Sequence, residues 1–130
     1  MTEYRVSSIM RTDVQTLTPD TPIRSAVALL VEARTAAAAV IDNDGRLSGI
    51  LTQKDCFRPA LHASYYREWT GRVADHMSQE VVTVAVEDEV MGVAEMFLTY
   101  PHRVFPVREG EGFAGMVHRS DVLAHLSRNG

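Results

Sequence analysis

Apolar and polar positions along this chain alternate between a helical and a strand period, and the whole pattern occurs twice. Ile23, Val27 and Leu30 lie at helical spacing, as do Val90, Ala94 and Phe97, so both stretches predict amphipathic helices with one core face. A short β-rich run precedes each helix, Val14-Gln15-Thr16-Leu17 and Val81-Val82-Thr83-Val84. After each helix the pattern predicts a hairpin. Its first strands are Ala37 to Asp42 and Val104 to Glu109, its turns Asn43-Asp44-Gly45 and Gly110-Glu111-Gly112, and its second strands Gly49 to Leu51 and Gly115 to Val117. A closing helix begins near Asp55 and near Asp121, so each half reads β-α-β-β-α.

One stretch sets two rules against each other. Propensity alone makes Ala36 to Ala39 helical. Its alignment with Arg103-Val104-Phe105-Pro106 makes it a strand, because Pro inside a helix is costly. The helix ends carry their own signals: Thr21-Pro22 offers an N-cap with Pro in the first helical position, and Glu87-Asp88-Glu89 an N-cap with acids suited to the helix dipole. Thr35 and Pro101 mark where the two helices stop. Leu61, Tyr65 and Trp69 are four apart, which extends the first closing helix with an aromatic stripe for core or subunit packing.

The repeat keeps its register. At an offset of sixty-seven, Val6 matches Val73, Met10 matches Met77, Thr16 matches Thr83, Val40 matches Val107 and Gly45 matches Gly112. After one deleted position the offset becomes sixty-six and pairs Gly49 with Gly115 and Asp55 with Asp121. The division this implies is residues 1–66 and 67–130, two units each too small to be stable alone and expected to pack as one α/β (α+β) module with pseudo-two-fold symmetry.

Within the repeat, Gly49-Ile50-Leu51-Thr52-Gln53-Lys54-Asp55 returns as Gly115-Met116-Val117-His118-Arg119-Ser120-Asp121. Both are a strand running into a helix N-terminus, where free backbone N–H groups and the helix dipole favour an anion. The same residues allow a purely structural reading. Thr52 and Asp55 can form a capping box that satisfies the backbone and binds nothing.

Composition narrows the function classes. Thirteen basic and seventeen acidic side chains give a formal net charge of −4, so no general field draws nucleic acid or an anionic membrane. No apolar run approaches the ~20 residues of a membrane span, and residues 1–10 lack a signal-peptide core, which reads as cytoplasmic. The single cysteine, Cys56, stands where the second copy has Val122, a place for a small buried hydrophobe. His118, Asp121 and His125 do not complete a zinc shell by spacing. There is no nucleophile with a base at recognisable spacing and no Gly-x-x-x-x-Gly-Lys phosphate loop, so the sequence does not read as an enzyme and predicts no cofactor or metal.

The tandem β-α-β-β-α unit has Met before the first strand, an apolar-Arg-apolar-x-Pro-Val stretch, an acidic-Gly turn and Gly-apolar-apolar-[Ser/Thr]-x-x-Asp before the last helix. In these it resembles the CBS (cystathionine β-synthase) domain over residues 6–126, and looks like a stand-alone pair, a Bateman module. The resemblance implies clefts for adenosine-containing ligands such as AMP, ADP, ATP or S-adenosylmethionine, acting as regulatory ligands, and a disc-like homodimer. By resemblance Asp55 and Asp121 accept hydrogen bonds from ribose hydroxyls, a task that suits the two oxygens of a carboxylate. Thr52 lies near the phosphate, and His118 departs from the pattern there. Adenine is expected against Thr16, Ala37 and Ala39 in one cleft and Thr83, Val104 and Pro106 in the other. Arg103, His118 and Arg119 make the Asp121 cleft the richer anion site, whereas the first copy keeps Thr52, Lys54 and Asp55 but has Ala36 and Ala39 in place of the family's Arg and Pro. The reading is a non-catalytic sensor whose output passes to an unidentified effector protein; the runner-up is a dimerising or docking module that takes no small molecule.

Overall fold

The conflict at Ala36 to Ala39 resolves as strand. In the computed structural model, which describes residues 4–129, β1 (Ala37–Ile41) pairs antiparallel with β2 (Leu47–Thr52). Ala37, Ala38, Ala39 and Val40 are all buried. Burial of both strand faces against neighbours outweighs the weak helix preference of alanine. The second hairpin, β4 (Val104–Glu109) with β5 (Gly112–His118), is built the same way. Each hairpin shifts register at the matching place, between Val40 and Ile41 and between Val107 and Arg108. Gly45 and Gly110 take positive φ in the two turns, 79° and 61°, where a side chain would strain the backbone.

The run before each first helix is shorter than predicted. Val81 to Val84 contributes only β3 (Val84–Ala85), parallel to β4. Its counterpart reduces to one bridge, in which Leu17 donates to the Ala39 carbonyl at 2.9 Å and accepts from the Ile41 N–H at 2.8 Å. Helix α1 (Ile23–Ala33) buries Ile23, Ala26 and Leu30, and α4 (Val90–Thr99) buries Val90 and Val93. Both helix starts depart from expectation. The Thr21 hydroxyl accepts from the Thr18 N–H at 3.1 Å rather than capping α1. Asp88 accepts from Ala85 N–H at 2.8 Å, closing the turn before α4 instead of its first turn. In each case the side chain bonds backwards along the chain, the usual competition of short polar residues with helix caps.

The closing helices are α2 (Phe57–Tyr66), entered through a 3-10 turn over Lys54–Cys56, and α5 (Arg119–Asn129). The predicted aromatic stripe breaks up, because Arg67 adopts left-handed geometry, φ 57°, and ends α2 at Tyr66. Leu61 and Tyr65 stay exposed, while Trp69 packs on a core.

A short helix α3 (Val73–His76) and the 3-10 turn at Val6–Ser8 open the two repeats, and they show that sequence repeats and compact units are different partitions. One unit runs from Gln15 to Val81; the other joins the segment ending at Val14 to the stretch from Val82 onward. Val73 belongs to the first unit's core, with Leu17, Ile23, Leu30, Val40 and Leu51. Val6 belongs to the second, with Val84, Val93, Phe105, Val107 and Val117. The linear division at residue 66 and the spatial one thus differ by an exchange of opening segments. The exchange is secured by paired backbone bonds, Ile50 with Ser78 and Met116 with Arg11. Gly49 and Gly115 make room for it. A Cβ on Gly49 would lie 2.7 Å from the Ser78 carbonyl oxygen, and one on Gly115 would strike the carbonyl oxygen of Arg11.

Candidate functional site

Each strand-to-helix corner is held by the same backbone frame. In the first unit β1 and β2 bring Ala37 opposite Thr52, and Gln53 N–H donates to the Ala36 carbonyl at 2.8 Å. In the second, Val104 lies opposite His118, and Arg119 N–H donates to the Arg103 carbonyl at 2.9 Å. Thr16 precedes Leu17, which bonds the Ala39 carbonyl; Thr83 precedes Val84, which pairs with Val107 one residue beyond Pro106. Thr16, Ala37, Ala39, Thr52 and Asp55 therefore belong to one unit, and Thr83, Arg103, Val104, Pro106, His118, Arg119 and Asp121 to the other.

The side chains in these equal frames do different things. Thr52 and Asp55 form the reciprocal capping box: Thr52 N–H donates to Asp55 Oδ2 at 3.0 Å and Asp55 N–H to Thr52 Oγ1 at 3.1 Å. This is the structural alternative, and it uses one oxygen of the Asp55 carboxylate. Cys56 is buried beside it. Its thiol donates to the Thr52 carbonyl at 3.3 Å, and burial, aided by the Asp55 charge, pushes it up to about 11, so it stays protonated and unreactive near neutral pH.

His118 replaces the threonine in the second unit, and Asp121 finds another partner. Arg11 grips the carboxylate with both prongs, Nε to Oδ2 at 2.7 Å and Nη2 to Oδ1 at 3.0 Å. The bond from Arg11 holds the Asp121 carboxyl below its ordinary range, with burial opposing. Asp121 in turn holds the Arg11 guanidinium more firmly protonated. His118 is half-buried, and that burial lowers its imidazole, helped by the Arg11 charge and opposed by Asp121. Arg103 and Arg119 are exposed. The His125 ring lies edge-on to Tyr4, with centroids 4.4 Å apart.

Sequence reasoning missed Arg11. It matches Ser78 at the offset of sixty-seven, directly after the aligned methionines, yet nothing in the pattern says that residue 11 reaches residue 121. Only the exchange of opening segments brings them together.

The CBS domain family model matches residues 6–61 and 73–128. The chain belongs to the CBS domain family. Its two copies form a CBS pair of mixed helices and two small sheets, superposing on CBSX2 of Arabidopsis thaliana with a TM-score of 0.85 at 22% identity, over 98% of this chain and 97% of that one. A structure of CBSX2 in complex with AMP gives a TM-score of 0.84 at 23% identity, covering 97% and 98%. Among curated proteins, an uncharacterized protein of Methanocaldococcus jannaschii is 25% identical over 98% of this chain, and an uncharacterized 17.7 kDa protein of Acidianus ambivalens is 27% identical over 94%. The chain spans 33% of the first relative's length and 73% of the second's. Among the described residues no helix of the CBS pair is long and apolar enough to cross a membrane.

Proposed function

We propose that this CBS pair is a non-catalytic regulatory module that binds an adenosine-containing nucleotide, of the AMP, ADP, ATP or S-adenosylmethionine class, at the Asp55 and Asp121 corners. The observation that carries this reading is the duplicated corner itself. Two partly exposed carboxylates stand at strand-to-helix junctions on matching hairpin frames, where a two-oxygen acceptor suits a ribose diol and a helix N-terminus suits phosphate. The likeness to CBSX2, which is seen with AMP, supports the same ligand class. The second corner carries Arg103, Arg119 and His118 where the first has Ala36, Gln53 and Thr52 with Lys54 as its cation, which favours the second as the tighter site.

Self-association belongs to the same reading. Val31 and Phe57 on α1 and α2 match Leu98 and Leu123 on α4 and α5, and all four are 63% or more exposed. A second copy of the chain covering these faces would remove large apolar side chains from water. A monomer by sedimentation equilibrium would overturn that part.

A second reading has its own support. The Thr52–Asp55 box occupies one oxygen of the Asp55 carboxylate and the Arg11–Asp121 pair both oxygens of the other from within the chain, which suits a dimerising or docking module without a ligand. Calorimetric titration of AMP, ADP, ATP and S-adenosylmethionine separates the two. The nucleotide reading expects saturable heat that is weakened by Asp121→Asn more than by Asp55→Asn. No heat, and no rise in melting temperature at millimolar ligand, would leave the second reading standing.

A further inference from the structure

Arg11 is fixed at its backbone before its side chain does anything. Its N–H donates to the Met116 carbonyl at 2.7 Å and its carbonyl accepts from Met116 N–H at 2.9 Å, against the bare Cα of Gly115. From there the guanidinium reaches both Asp121 oxygens, while its own side chain stays 51% exposed, with solvent on one side into which it can turn. The matching residue beside the Asp55 corner is Ser78. It is too short and uncharged for this, and its hydroxyl bonds the Glu80 carbonyl at 3.4 Å.

A carboxylate has one pair of lone pairs that point together away from the chain, and a two-pronged donor takes both. An arginine fork and a ribose diol are both two-pronged donors, so they compete for Asp121. Displaced by a neutral nucleoside, the guanidinium loses its counter-ion. Displaced by a nucleotide, it can turn to the phosphate, whose oxygens match the same fork.

We propose, resting on the nucleotide reading above, that Arg11 is a specificity-determining residue of the Asp121 corner. It excludes neutral adenosine by holding the ribose acceptor and admits phosphate-bearing ligands by exchanging carboxylate for phosphate. The Asp55 corner, with Ser78 in that place, lacks this selection.

The test is calorimetry with adenosine and AMP on an Asp55→Asn background, which removes one carboxylate yet keeps an acceptor for Thr52 N–H. With Arg11 present, AMP binds at least about tenfold tighter than adenosine. Arg11→Ala narrows the ratio to about threefold or less, because adenosine tightens and AMP does not. Arg11→Lys, which keeps the charge but not the fork, falls between. Thermal melts confirm that each variant is folded. An unchanged ratio in Arg11→Ala, with both ligands weakened by Asp121→Asn, overturns the inference and leaves the nucleotide reading intact. Unchanged affinities in Asp121→Asn overturn both.

Discussion

The Asp55 and Asp121 corners share a backbone frame and differ in nearly everything attached to it. At Asp55 the carboxylate is held locally, by the threonine three residues before it. At Asp121 it is held by an arginine one hundred and ten residues away in sequence. The difference follows from two substitutions between the repeats, Thr52 against His118 and Ser78 against Arg11. Losing the threonine removes the local partner, and gaining the arginine supplies a distant one. The first corner is thereby a capped carboxylate with a spare oxygen and no cation bonded to it, and the second a carboxylate paired with a guanidinium. Duplication preserved the frame and left the side chains to diverge.

The largest test of this contrast lies beneath the corners. Phe105 is fully buried and stacks on Phe97 with centroids 4.4 Å apart, whereas its repeat partner is Ala38. Phe105→Ala should cost about 3–5 kcal/mol by chemical denaturation, showing that the second unit depends on one large side chain at a position where the first has an alanine. A loss under 1 kcal/mol would break that picture.

Next are the glycines that admit the exchanged segments. Gly115→Ala meets the Arg11 backbone, and Gly49→Ala meets the Ser78 carbonyl and the Met77 sulfur at 2.8 Å. Each should cost about 1–3 kcal/mol, with Gly115→Ala the worse because its Cβ would approach a backbone carbonyl oxygen more closely than that of Gly49 does. Gly115→Ala should also shift Arg11 and loosen its grip on Asp121.

Smaller is the cap itself. Thr52→Ala leaves Asp55 N–H without its acceptor and should cost about 1 kcal/mol, read as a fall in denaturation midpoint at unchanged slope. His118→Ala, at the matching position, breaks no such cap and should cost less.

The smallest effect is a pH dependence that originates at His118 in the second unit. The folded protein holds His118 below its unfolded value of about 6.5, so the unfolded chain binds more protons in that window. The His118 contribution is complete above that value and is lost as pH falls through it toward the folded pKa. Melting temperature should therefore drop between about pH 7 and pH 5, and His118→Gln should flatten the profile. Asp121 acts lower, its contribution present above about 3.9 and lost as pH falls through its depressed folded pKa.

Much of this was legible in the residues alone. The hairpin turns, the core faces at Ile23, Leu30 and Val90, the buried Cys56 and the two corners follow from local patterns. The alignment of Ala36 to Ala39 with a proline-bearing strand overrode a misleading propensity. The helix caps were misread because Thr21 and Asp88 each had two backbone partners within reach, and spacing cannot say which one a short side chain takes. The Leu61, Tyr65 and Trp69 stripe failed because Arg67 takes up left-handed geometry, a conformation that arginine does not advertise.

The duplicated strand-to-helix motif, and with it the family, was set by the sequence, since local order and a fixed repeat offset are one-dimensional properties. What occupies each carboxylate was decided only in three dimensions. Threonine can cap an aspartate three residues on wherever the chain turns into a helix, but Arg11 meets Asp121 only because one repeat's opening segment is clamped to the other repeat's hairpin. That contact closes a loop spanning most of the chain, and no local pattern records it.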